Sequence, residues 1–191
     1  IVSSFLWIFA TFYNIGYMRS LDEHAQTRYY TCFAVAILGA QGVSYSGSLF
    51  SLYLFYEIIT IFTYPLVAHH QDEEGYAGAK KYIVYLMGTS KGLLLPATVL
   101  TYVFTGTLDF ADNITSGIFT KGTDGVWITV TYGLFIFGFA KAAIMPLHNW
   151  LPSAMVAPTP VSALLHAVAV VKAGVFCISR VMLSVFGLEL L

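Results

Sequence analysis

Charge is what this sequence has least of. Only 10% of its 191 residues are Asp, Glu, Lys or Arg, against roughly 25% in an ordinary soluble domain. A chain so poor in charge along its whole length cannot turn most of its surface to water. The charges nearly cancel, to a net −1, so the basic face that a nucleic-acid partner requires is missing. Cysteine is scarce as well. Cys32 and Cys177 both lie inside apolar runs, where buried free thiols are expected and a disulfide framework is not. No Cys/His cluster of the kind that holds haem or iron–sulfur is present, and no Gly-rich phosphate loop follows a strand. No cofactor and no metal are therefore expected, nor direct electron transfer or ATP hydrolysis. The alternating ten-residue segments of a membrane β-barrel are missing, as are internal repeats and low-complexity stretches.

What the sequence has is apolar length. Hydrophobic residues make up 58% of it, and the mean hydropathy is +0.75. Crossing the hydrocarbon core takes about 20 mostly apolar residues. Six segments come close or qualify: residues 1–18, 29–45, 49–68, 82–104, 126–145 and 161–186. The expected fold class is an all-α, polytopic transmembrane helix bundle lying in the lipid bilayer. The chain opens at Ile1 without a charged n-region or a small-residue cleavage site, so the first run does not read as a signal peptide. Both ends look cut, and residues 1–191 are expected to be one fragment of a longer membrane domain. Polar connections fall at 19–28, 44–48, 69–81 and 105–125, the third reading as an exposed loop. If the spans alternate, 19–28 and 69–81 share a side and hold Arg19, Arg28, Lys80 and Lys81, against Lys121 alone opposite. Lys and Arg prefer the cytoplasmic side, so these two loops are assigned to it.

Residues 146–160 hold Pro146, Pro152, Pro158 and Pro160, four of the chain's 6 prolines. Proline removes a backbone donor and clashes with the preceding turn, so a helix break is expected at Pro146 and Pro152. Irregular backbone at membrane depth survives only where it is buried in protein or lines a wet cavity. In transporters such breaks mark the transport site. A loop at the membrane edge, with a short helix over 147–155, is the alternative.

Glu57, Lys91, Lys141 and Lys172 sit inside apolar runs, and His166 lies six residues before Lys172. A charge at the centre of a membrane helix costs roughly 2.5–3.5 kcal/mol on insertion scales. The bland readings are a structural ion pair, a hydrogen-bonding strut at His166, and a lysine that snorkels to the interface. Gly88, Ser90 and Gly92 around Lys91 suggest close packing or a local break there. Glu57 and Lys141 lie too deep for easy snorkelling and are read as functional. His166 and Lys172 are about 9 Å apart along a helix axis, a gap that one or two waters bridge. Desolvation makes such groups proton carriers. Na⁺ or K⁺ would need several oxygen ligands together, and the helices offer a single carboxylate. The transported ion is therefore expected to be the proton, with Na⁺ or K⁺ exchange left open.

The runs Ala140-Lys141-Ala142-Ala143-Ile144-Met145-Pro146-Leu147-His148-Asn149-Trp150-Leu151-Pro152 and Ala157-Pro158-Thr159-Pro160-Val161-Ser162-Ala163-Leu164-Leu165-His166 resemble a family signature. That family is the proton-translocating antiporter-like membrane subunits: large membrane-arm subunits of respiratory complex I, large subunits of multisubunit monovalent cation/proton antiporters, and membrane subunits of energy-converting hydrogenases. Phe55-Tyr56-Glu57 resembles its helix-five glutamate motif. The resemblance implies a fold of about fourteen helices, of which this fragment covers the third to the eighth. It implies that Glu57 pairs with Lys141 on a broken helix seven, and that His166 and Lys172 on helix eight form a central relay. Lys91, which matches no motif of the family, and His148 are candidates for further relay steps. Around residues 166–176 the antiporter branch is the nearer one. The implied setting is a multisubunit complex in a prokaryotic inner membrane, with other membrane subunits as partners. No catalysis by this chain alone is implied, although its complex can be a quinone oxidoreductase or a hydrogenase. A stand-alone secondary transporter of a small solute and a structural membrane scaffold stay open as alternatives.

Overall fold

The computed structural model of the protein describes residues 2–111, 115–119, 124–164 and 169–190. Among those residues the regular secondary structure is helical, apart from one isolated bridge between Ser48 and Asp109. Helices α1 (Val2–Ser20) and α2 (Gln26–Tyr45) lead into α3 (Leu49–Val67). Gly39 and Gly42 let α3 approach closely, since a Cβ at either position would run into the side chains of Ile59 and Phe55. The α3 N-terminus is fixed by the Ser48 hydroxyl, which accepts from the Ser51 amide at 3.2 Å.

Helix α4 (Glu73–Thr89) begins earlier than the apolar pattern suggests. Asp72 caps it, its carboxylate accepting from the Gly75 amide at 2.7 Å, and Glu73 and Glu74 occupy the positive end of the helix dipole. Lys80 and Lys81, expected in an exposed loop, are therefore helical, and the connection shrinks to residues 68–72. A π-turn over Ser90–Leu94 joins α4 to α5 (Leu95–Thr105), with the Leu95 amide donating to the Ser90 carbonyl. Pro96 has no N–H to donate, so the regular ladder would lose a bond here in any case. The combined helix Glu73–Thr105 is 33 residues long. It and α3 are the two helices, among the described residues, that are long and apolar enough to cross a membrane by length and composition. Polar residues dilute α1 and α2, and breaks shorten the two later segments.

The first of these breaks lies ahead of the prolines. Helix α6 (Gly125–Gly138) stops at Gly138, and a 3-10 turn, Ala140–Ala142, follows. Ala143 then takes a left-handed conformation, φ 55°. Lys141 thus sits inside the break, not on a helix leading up to Pro146. Pro146 and Pro152 come after it: Pro146 lies among turns, and Pro152 inside the short helix α7 (Trp150–Ser153). Helical structure over 147–155 is confined to α7 and the first residues of a 3-10 turn, Ala154–Val156.

Helix α8 (Thr159–Ala163) starts at the Pro158–Pro160 pair. The chain is described again from Ala169 into α9 (Val170–Val181), which ends in a π-turn, Met182–Phe186. The α9 face made by Ala173, Gly174 and Cys177 is buried. Gly174 is essential to that packing: a Cβ there would collide with the backbone of Lys141 and Ala142. Gly138 plays the same part against the Leu94 backbone of the π-turn, at 2.8 Å from an added Cβ. The break, the π-turn, α3 and α9 therefore converge on one buried centre.

At one end of the bundle, the α1–α2 and α3–α4 turns meet, with Arg28 donating to the His69 carbonyl at 3.4 Å. At the other end, the Leu49 amide bonds the Leu108 carbonyl at 2.8 Å and Arg180 bonds the Ser44 carbonyl at 3.0 Å.

Candidate functional site

Lys141 is completely buried, with 0% of its surface exposed. Its ammonium donates to the backbone carbonyl of Tyr56 and lies 3.4 Å from the centre of the Tyr56 ring. Its own backbone amide donates to the Tyr56 hydroxyl at 3.2 Å, so the Lys141 main chain and side chain embrace one residue of α3. The Tyr56 carbonyl also takes the Thr60 hydroxyl at 3.3 Å. The pocket is closed by Phe139, whose ring meets that of Tyr56 edge-on at 5.6 Å. The Ala140 carbonyl accepts the Ala143 amide at 2.9 Å within the 3-10 turn and takes the Trp150 indole N–H as a second donor at 3.1 Å. Trp150 is itself fully buried against Tyr82, their centroids 5.6 Å apart.

Glu57 is the next residue along α3 and is half-buried. Its Oε1 accepts from the hydroxyl of Ser90, a fully buried residue of the π-turn. The two groups have different partners: Glu57 is bonded to Ser90 and Lys141 to Tyr56. Lys141 is thus held on Tyr56, and Glu57, the next residue of α3, on Ser90 of the π-turn, without direct contact between acid and amine. A carboxylate with a hydroxyl partner and an amine with a carbonyl partner can each gain or lose a proton without leaving a buried donor or acceptor stranded.

The other sequence-predicted residues lie apart from this centre. Lys172 is exposed on the α9 face turned away from Lys141. It lines a cavity of about 220 Å³ between α2 and α9, together with Gln41, Ser44 and Phe176. Lys91 is exposed on the outer side of the π-turn, beside Gly88 and Gly92, at which an added Cβ would meet nothing within 4 Å. His148, Pro146 and Pro152 are exposed. His166 lies outside the described residues, as does Lys121 of the charge comparison. Cys32 and Cys177 are buried free thiols.

Sequence reasoning missed two groups. Ser90 was legible only as a neighbour of Lys91, because nothing in the run 88–92 reveals which side chain turns inward. Glu23, His24, His69 and His70 come together at the end of the bundle. Their one signal is the pairing of Glu-His and His-His in two loops expected on the same side. His69 is fully buried, and burial, with the His24 ring next, holds its imidazole below the usual histidine range.

A family model described as "NADH:quinone oxidoreductase/Mrp antiporter, TM" matches residues 46–189. A putative antiporter subunit mnhA2 of Staphylococcus aureus (strain JH9) is 28% identical over 183 residues, covering 94% of this chain and 22% of that protein. The structure of the Mrp complex from Dietzia sp. DQ12-45-1b superposes with a TM-score of 0.68 at 28% identity, over 78% of this chain and 16% of that one. Respiratory complex I from Thermus thermophilus shares the fold, with a TM-score of 0.66 at 24% identity over 80% of this chain and 33% of that one. The chain spans about a fifth of the length of the curated relatives it matches.

Proposed function

Because this chain belongs to the NADH:quinone oxidoreductase/Mrp antiporter transmembrane family, we propose that residues 1–191 form one proton-conducting, antiporter-like membrane domain of a longer subunit. In this reading the subunit works inside a multisubunit complex in a prokaryotic inner membrane, and the described helices correspond to the third to eighth of about fourteen. The observation that carries the proposal is the fully buried Lys141, seated in a helix break beside the α3 turn that holds Glu57. A buried cation without a carboxylate is expensive, and the nearest turn of α3 carries the carboxylate that can relieve it.

The mechanism follows from that imbalance. When Glu57 leaves Ser90 and approaches Lys141, it stabilises the protonated amine. When Glu57 returns to the Ser90 hydroxyl, the ammonium loses its counter-charge and releases its proton, and the neutral amine still donates to Tyr56. The released proton passes towards His166 and Lys172, the latter opening on the cavity between α2 and α9. Lys91 and His148 are candidates for steps beyond the described helices. Protons are the transported ion, and Na⁺ or K⁺ is the candidate exchange partner, in keeping with the antiporter relatives.

Proton flux in vesicles holding the full complex tests this reading. Glu57→Gln removes the charge and should abolish most of the flux, while Glu57→Asp should retain part of it. Lys141→Arg should fail as well, because a guanidinium keeps its proton at accessible pH. Normal flux in Lys141→Arg would rule out lysine deprotonation as a step in the cycle.

A further inference from the structure

We propose that Glu23, His24 and His69, with His70 beside them, bind a divalent transition-metal ion of the Zn²⁺ class at the end of the bundle where the α1–α2 and α3–α4 turns meet. One ligand atom from each of Glu23, His24 and His69 lies within 4.8 Å of the others. The hub is Glu23 Oε2, which stands 3.5 Å from His69 Nε2, 3.9 Å from His24 Nδ1 and 3.9 Å from His70 Nδ1. Zn²⁺ holds imidazole nitrogen and carboxylate oxygen at about 2.0–2.2 Å, which puts tetrahedral ligand atoms about 3.4 Å from one another. The separations from Glu23 Oε2 exceed that by up to about 0.5 Å, and the ligand atoms of Glu23, His24 and His69 all lie within 4.8 Å of one another, so side-chain rotations would have to draw the two imidazoles together around an ion.

A second observation points to a ligand independently of this spacing. His69 is 0% exposed, yet neither of its ring nitrogens makes a hydrogen bond, even though Nε2 stands 3.5 Å from Glu23 Oε2. Buried polar atoms are almost always paired, and an unpaired one calls for an explanation. Arg28 does not provide it, since its guanidinium bonds the His69 carbonyl and not the ring. A metal ion held between His69 Nε2 and Glu23 would satisfy the ring nitrogen that faces the cluster. The His24 ring stacks on that of His69, with centroids 4.9 Å apart, which keeps a second nitrogen at the same place.

The donor set decides the class of ion. Three of the four donors are imidazole nitrogens, and imidazole suits Zn²⁺ and its neighbours in the first transition row. Mg²⁺ and Ca²⁺ demand shells of oxygen that a single carboxylate cannot supply. His24 and His70 are partly exposed, 50% and 38% at their side chains, and leave a path from solvent to the buried His69. His24 and His69 lie 45 positions apart in sequence, so an ion there would clamp two helix–helix turns together.

The test uses the full-length protein in its complex, stripped with chelator and then equilibrated with Zn²⁺ or Co²⁺. One Zn²⁺ per chain should survive gel filtration, and X-ray absorption should report nitrogen and oxygen ligands without sulfur. Losing even an outer-shell partner weakens metal binding about 10–100-fold, so His69→Gln should weaken it by at least about tenfold. His24→Gln should do the same, and its exposed side chain makes misfolding a poor explanation for the loss. Undiminished Zn²⁺ affinity in both variants would place the ion elsewhere and overturn the assignment. Failure of the intact complex to retain Zn²⁺, or retention of Mg²⁺ in its place, would overturn it too.

Discussion

Ser90 determines where Glu57 rests. A hydroxyl donating to a carboxylate contributes about 1.5–3 kcal/mol, and about 1.4 kcal/mol is already a tenfold change in population. In the proposed cycle, loss of that hydroxyl removes the partner that draws Glu57 away from Lys141, and the amine stays protonated. Ser90→Ala should therefore lower proton flux about tenfold or more, and Ser90→Thr, which keeps the hydroxyl, should restore much of it. Equal flux in the alanine and threonine variants would remove Ser90 from the cycle. At this scale the sequence was informative about identity and silent about direction. Glu57 and Lys141 stand out because each is a lone charge in an apolar run, and any fold must account for a buried charge. Lys172 stood out for the same reason, yet it lies exposed in the cavity between α2 and α9, away from Lys141, because apolar residues surround it along the chain whichever way it points. The Glu23 cluster depends on a tertiary contact between two turns, which no local pattern encodes.

Elements meet at the break through residues that have no side chain to offer. Gly174 brings α9 onto the backbone of Lys141 and Ala142, and Gly138 brings α6 onto the π-turn. Gly174→Ala would drive a Cβ into main chain that cannot swing aside, as the tip of a side chain could. Overpacking of this kind costs about 1–3 kcal/mol. The variant should unfold at lower temperature and lose flux together, measured on the purified complex and in vesicles. Wild-type behaviour in both would mean that α9 and the break are not rigidly joined. The interruption at Lys141 begins ahead of the prolines of residues 146–160, because α6 ends at Gly138, and the Trp150 indole on the Ala140 carbonyl braces it from outside.

On the scale of the molecule, the six apolar runs all contain helix, and helices α2 and α4 begin inside the polar segments 19–28 and 69–81, so the helical class was legible from composition and run length and the helix starts were not. Orientation is open to direct measurement. The end of α1 with Arg19, the start of α2 with Arg28 and the first half of α4 with Lys80 and Lys81 flank the turns that Arg28 ties together through the His69 carbonyl, and the bias of basic residues assigns that end to the cytoplasm. Cysteines at the exposed Ser20 and Glu74 should resist an impermeant thiol reagent in intact cells and react after lysis. The native thiols at Cys32 and Cys177 are buried, which keeps the background low. Labelling of both new cysteines from outside would invert the topology.

The helix Glu73–Thr105 carries a further consequence. Its 33 residues extend about 50 Å at 1.5 Å per residue, whereas the hydrocarbon layer is about 30 Å thick. To hide that length by leaning alone, the helix would have to incline by more than 50°, beyond the 0–40° that membrane helices adopt. Its first turns, with Glu73, Glu74, Lys80 and Lys81, must then stand clear of the lipid as a short rigid mast. A push on that mast at the water's edge would travel as one stiff rod to the π-turn, where Ser90 holds Glu57.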